Sequence, residues 1–165
     1  MQKQLYQLCY TPMMKLCYRY TNDAQASASL FNDAMVKIFR SIENYEEDGK
    51  LFGWIKKIVV NTCIDYVRKK TPIETSELKE NYYQDVTIEN EVLQKMSNAD
   101  IQEIINKLPK TAALVFNLYV YEQYSHNEIA ELLNMPSGTS RYLLSEARSR
   151  LKKMVLNNNY SLSKI

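Results

Sequence analysis

The chain has 165 residues and a formal net charge of +2, with 45% hydrophobic and 24% charged residues, a balance that excludes a wholly disordered chain and a membrane protein. Three Gly and four Pro are too few for the turns of a β-rich fold or for a glycine-rich nucleotide loop, so the composition reads as nearly all helix, in one domain or two small ones. His126 is the only histidine, and Cys9, Cys17 and Cys63 form no C-x-x-C pair, which disfavours a disulfide framework, a zinc site and His-based catalysis.

The cysteines read as small buried apolar residues of a cytoplasmic protein. No apolar core follows Lys3, and the longest apolar run is Ala112–Phe116, so neither a signal peptide nor a membrane span is expected. Charge is segmental: residues 1–70 carry +4, residues 71–100 carry −5 and residues 101–165 carry +3. Two basic blocks around an acidic stretch predict two modules that meet an anionic partner, joined by a linker that does not.

In the first block, Leu5, Leu8 and Cys9 form a short apolar stripe before Pro12. Met13, Leu16, Cys17 and Tyr20 then repeat at helical spacing, with Pro12 placed at the start of that helix. Ala24, Ala28, Phe31, Met35, Ile38 and Ile42 mark the seam of a second helix of about five turns, N-capped by Asp23. Its other side carries Ser29, Asn32, Asp33, Val36, Lys37 and Arg40, which by pattern alone is a solvated face. Residues 45–50 form a loop with Asp48-Gly49 as its turn. A third helix is expected from Leu51 to Lys70. Leu51, Trp54, Ile55, Ile58 and Thr62 form its inner stripe, Trp54 is a core residue, and Lys56, Lys57, Asn61, Arg68, Lys69 and Lys70 lie on other faces. Thr71-Pro72 ends it.

Residues 72–85 read as a solvated acidic linker, and Val86–Met96 as a helical entry into the second block. There, Ile101, Ile104, Ile105 and Leu108 mark one helix and Ala112, Val115, Phe116 and Tyr119 the next. Ser125 and Glu128 stand at capping-box spacing before a short helix with Ile129, Ala130 and Leu133 inward. Asn134-Met135-Pro136 breaks the chain. A longer helix follows from Ser137 to Leu156, with Leu144, Ala147, Leu151 and Val155 inward. This is the pattern of a helix-turn-helix. Arg141, Ser145, Arg148 and Lys152 share one face of the longer helix, and that face reads equally as a DNA-facing row or as a solvated basic face.

These residues together resemble the extracytoplasmic-function sigma factors of bacterial RNA polymerase. The first block resembles region 2 through Asn32-Asp33, Met35, Lys37, Phe39, Arg40, Gly49, Trp54-Ile55, Lys57-Ile58, Asn61, Asp65-Tyr66 and Arg68. The second resembles region 4 through Leu108-Pro109, Ser125, Glu128-Ile129-Ala130, Leu133, Pro136, Gly138-Thr139, Arg141, Leu144 and Ala147-Arg148. Asn32 stands where the family usually has Gln, Val60 replaces a usual basic residue, and Leu143 and Glu146 stand where the reading helix often carries Arg.

The resemblance implies an all-α protein of two small helical domains joined by an acidic linker. Residues 1–71 would be region 2, 72–97 the linker, 98–156 the region 4 helix-turn-helix and 157–165 a tail. It implies core RNA polymerase and promoter DNA as partners, an anti-sigma factor as a further one, no small-molecule substrate, no cofactor, and no catalysis by the chain itself. Ser29, Asn32, Asp33 and Val36 would dock the clamp-helix coiled coil of the largest core subunit. Loop 45–50, Lys57, Asn61 and Arg68 would engage the minus-ten element, and Ser137, Thr139, Arg141, Ser145, Arg148 and Lys152 the minus-thirty-five element. Two other readings are a stand-alone helix-turn-helix regulator and a helical polymerase-binding adaptor with a decayed DNA helix, the latter supported by Leu143 and Glu146.

Overall fold

Among the described residues the secondary structure is helical throughout, without a strand; the computed structural model describes residues 2–46, 49–71 and 97–157. The chain divides into two compact units, Met1–Pro72 and Ile73–Ile165. The acidic stretch 72–96, including the expected helical entry Val86–Met96, lies outside the described residues, as do Glu47, Asp48 and the tail from residue 158.

The first unit is three helices that pack pairwise: α1 (Gln2–Thr21), α2 (Ala24–Ser41) and α3 (Leu51–Lys70). The expectation that Pro12 opens a helix is corrected, because α1 runs unbroken through it. An interior proline forfeits one hydrogen bond and crowds the carbonyl four residues back, at a cost of about 3 kcal/mol. Here that carbonyl belongs to Leu8, which is 73% exposed and can be hydrated. Cys9 and Met13, one turn apart across the proline, are both buried and hold the two halves to one core.

Asp23 caps α2 as expected: its Oδ1 accepts from the Ala26 N–H at 2.6 Å. The seam is centred one step from the predicted line. Ser27, Leu30, Phe31, Ala34, Met35 and Ile38 are buried, whereas Ala24 is exposed and Ala28 and Ile42 are half-buried. The inner face of α3 is also corrected. It buries Ile55, Val59, Val60, Thr62, Cys63 and Ile64, while Leu51, Trp54 and Ile58 are only half-buried. A helix wedged between two partners buries a wider and differently centred arc than a single stripe. In this core the Cys63 thiol donates to the Cys17 sulfur at 3.9 Å, and neither cysteine is in a disulfide.

The second unit contains α4 (Asn98–Asn106), α5 (Lys110–Phe116) running into a π-helical turn (Asn117–Tyr121), α6 (His126–Leu133) and α7 (Ser137–Asn157). The longest helix, α7, packs against α4, α5 and α6. Ile104, Ile105, Leu114, Val115, Leu118, Ile129, Leu133, Leu144, Ala147 and Leu151 form the core. The capping box is complete: the Glu128 carboxylate accepts from the Ser125 N–H at 2.8 Å, and Ser125 Oγ accepts from the Glu128 N–H at 3.3 Å. Asn134 takes the left-handed conformation at φ 52°, which ends α6 and turns the chain through the buried Met135 into α7.

Candidate functional sites

The outer face of α2 follows from its seam. With Phe31, Met35 and Ile38 inward, helical geometry turns Ser29, Asn32, Asp33 and Val36 to solvent, and all four are exposed. Val36 is 47% exposed, an apolar side chain set beside a carboxylate and an amide. Asn32 is not isolated: the Tyr6 hydroxyl of α1 donates to its Oδ1 at 2.9 Å. The Tyr6 ring meets Phe31 edge-on with centroids 5.0 Å apart, and Tyr10 does the same at 5.5 Å. Lys37, further along α2, is drawn toward α3, donating to Thr62 Oγ1 at 3.1 Å and lying 4.0 Å from Asp65.

The loop before α3 is closed by an aromatic pair. Tyr45 and Trp54 stack obliquely at 5.1 Å between centroids, and the Lys50 N–H donates to the Tyr45 hydroxyl at 3.2 Å. Trp54 is therefore a half-buried wall of the loop and not the core residue its position predicts. Gly49 sits at φ +76°, a conformation that a side chain strains. Phe52 is 51% exposed at the start of α3.

Lys57, Asn61 and Arg68 share one stripe of α3, at spacings of four and seven. Lys57 is exposed and the other two are half-buried. The expectation that Asn61 projects outward with them is corrected in part: its Oδ1 is sealed from solvent, and no hydrogen-bond partner reaches it among the described residues. Val60, which replaces a usual basic residue, is fully buried, so here that position belongs to the core.

On α7, Arg141 and Lys152 are exposed and Ser145 and Arg148 half-buried, so the predicted row is accessible along its length. Thr139 is the exception. Its side chain is buried, which corrects the expectation of a surface contact and leaves only its backbone N–H at the helix start, beside those of Ser137 and Gly138. Arg141 Nη1 lies 3.4 Å from Ser137 Oγ, one turn back. Leu143 is also buried, so a core residue occupies that position and no arginine is missing from the outer surface. Glu146 accepts from Arg150 Nε and Nη2 at 3.0 and 2.8 Å.

One cluster joins residues of three elements that no single helical stripe relates. The π-helical turn presents Tyr119, whose ring stacks on His126 at 4.6 Å, while Arg148 lies over Tyr119 at 5.7 Å. His126 Nδ1 and Ser140 Oγ are hydrogen-bonded at 2.9 Å. Burial, and then the nearby Arg141 and Arg148 charges, push the His126 pKa below the usual imidazole value. At neutral pH the positive charge of this face therefore rests on the arginines.

Comparison with known proteins agrees with this division into units. Residues 5–73 match the family described as Sigma-70 region 2, and residues 98–151 match Sigma-70, region 4. The ECF RNA polymerase sigma factor SigW of Bacillus subtilis is 28% identical over 160 residues, covering 86% of this chain and 81% of the relative. The RNA polymerase sigma-H factor of Pseudomonas aeruginosa is 25% identical over 152 residues, covering 86% and 79%. The ECF RNA polymerase sigma factor SigE of Mycolicibacterium smegmatis is 28% identical over 142 residues, covering 84% of this chain, which spans 55% of that relative.

Proposed function

The chain belongs to the sigma-70 family of RNA polymerase sigma factors, with relatives of the extracytoplasmic-function type, and on that premise we propose that it binds core RNA polymerase and directs it to promoters. The observation that carries this reading is the pairing, in one chain, of a region 2 helical unit with a helix-turn-helix whose outer row is basic. The chain supplies address and the polymerase supplies chemistry; the chain itself is no catalyst.

Ser29, Asn32, Asp33 and Val36 dock the polymerase. An apolar centre flanked by polar groups is the composition of a specific interface. Lys57 and Arg68 hold the backbone of the minus-ten strand, with Asn61 between them. The Tyr45–Trp54 wall beside the loop suits unpaired bases, because every base has a π-face that stacks on an aromatic ring. Along α7, Arg141 and Ser145 face base edges of the upstream duplex. Arg148, Lys152 and the backbone N–H groups of Ser137, Gly138 and Thr139 face phosphates. The acidic segment 72–97 links the two contacts, so that each raises the effective concentration of the other. The protein works in the cytoplasm, where an anti-sigma factor restrains it. No helix among the described residues is long and apolar enough to cross a membrane.

The burial of Leu143 and the pairing of Glu146 with Arg150 speak against the reading as an adaptor with a decayed DNA helix. The test is in vitro transcription with purified core polymerase across a promoter library. Defined transcripts that require this chain, with weak duplex binding by the chain alone, are expected. Tight binding to a palindromic duplex without polymerase, and no transcripts, would overturn the proposal in favour of a stand-alone regulator.

A further inference from the structure

We propose that Tyr6 of α1 is a positioning residue for polymerase docking, holding the Asn32 amide in its binding orientation so that the docking surface spans α1 and α2. This rests on the reading of the outer face of α2 given above. The geometry is specific. Asn32 is short and exposed on the crest of α2, with free rotation about two side-chain bonds in the absence of a partner. The Tyr6 hydroxyl donates to Oδ1 at 2.9 Å and removes that freedom. It also divides the amide by role: the oxygen is taken by Tyr6, and the two Nδ2 hydrogens remain as donors for an acceptor on the partner.

The tyrosine is itself fixed. Its half-buried ring packs edge-on against Phe31, which is fully buried, and lies 6.1 Å from Tyr10, which is 47% exposed. The hydroxyl is thus presented from a rigid core contact. Asp33 beside Asn32 adds an acceptor, so this surface fits a partner helix that offers a carboxylate or carbonyl to the amide and a cation to the carboxylate. A side chain bonded in advance loses less rotational freedom on association, which is how an intramolecular bond outside the direct contact raises affinity.

The experiment is a double-mutant cycle on the full-length chain, read as the dissociation constant for purified core polymerase, with Tyr6→Phe, Asn32→Ala and both together. Tyr6→Phe keeps the ring against Phe31 and deletes only the hydroxyl, so the thermal unfolding midpoint should stay in place. Tyr6→Phe should weaken core binding about three- to tenfold, the range of one net hydrogen bond, and the double variant should bind no more weakly than Asn32→Ala alone. If Asn32→Ala weakens binding but Tyr6→Phe does not, or if the two effects add, the positioning role is overturned while the docking face stands. If Asn32→Ala and Asp33→Lys both leave core affinity unchanged, the docking face itself is wrong, and the proposal falls with it.

Discussion

Arg150 donates two hydrogen bonds, at 3.0 and 2.8 Å, to a single oxygen of Glu146 one turn before it on α7. Glu146 is the only acid of that helix. The pair makes the two charges a local neutral unit, on the side of α7 turned away from the row Arg141, Ser145, Arg148 and Lys152.

Glu146→Gln is therefore expected to leave binding of the polymerase holoenzyme to upstream-element duplex almost unchanged. Because the pair faces away from the basic row, the slope of log K on log salt should stay as it is. Titrations of a fluorescent promoter duplex at several salt concentrations measure this. A slope steeper by about one would bring Arg150 into the DNA contact.

Arg141 and Arg148 lie seven residues apart on one face yet in different surroundings. Arg141 is exposed, whereas Arg148 is half-buried over the Tyr119 ring. Arg141→Ala should cost about 1–3 kcal/mol at one or two positions of the upstream element and relax discrimination there. Arg148→Ala should weaken all sequences alike and flatten the salt dependence. Transcription from a library randomised over the upstream element separates the two. Indistinguishable library profiles would refute this division of roles.

His126 sets a pH window. Its folded pKa is lowered, by burial first and then by Arg141 and Arg148. The unfolded chain takes up the proton at about pH 6.5 and the folded chain only further down, so the unfolded state binds more protons in between. Stability is full above about pH 6.5 and is lost as pH falls toward the folded value. Urea unfolding followed by far-ultraviolet circular dichroism should show this loss, and His126→Gln should make the profile flatter over the same range. A profile that the substitution leaves unchanged would show that His126 is not the titrating group.

Neutralising Lys57 and Arg68 together should reduce open-complex formation, read as permanganate reactivity of unpaired thymines, more than it reduces core binding. Lys57 is exposed and Arg68 half-buried, on the stripe of α3 that follows the Tyr45–Trp54 wall. Equal loss of both activities would indicate a folding defect, and normal reactivity would remove these residues from melting.

What was legible in the sequence was local. The Asp23 cap, the Ser125–Glu128 box and the Asn134 break each depend on residues at most four apart, and each is formed. The outward turn of Ser29, Asn32, Asp33 and Val36 follows from the seam of α2. What was not legible depends on how helices meet. The inner face of α3 is set by two neighbours at once, which is why Val60 is buried and Ile58 is not. The Tyr6–Asn32 bond joins residues 26 apart, and the Tyr119–His126 stack joins a π-helical turn to the start of α6, which no single helical stripe relates. Leu143 looked like a lost contact because a family pattern records residue types at positions and not the direction in which each faces.

Trp54 carries a consequence of another kind. It is the only tryptophan of the chain, half-buried, with its ring 5.1 Å from Tyr45 at the mouth of the loop. All indole emission therefore originates at one spot, and Tyr45 stands within range to transfer excitation to it. A nucleobase stacking on that wall would quench the emission on the timescale of its arrival. Strand capture during promoter opening can then be timed in a stopped-flow instrument with no dye attached, provided the polymerase's own tryptophans are replaced by a spectrally distinct analogue.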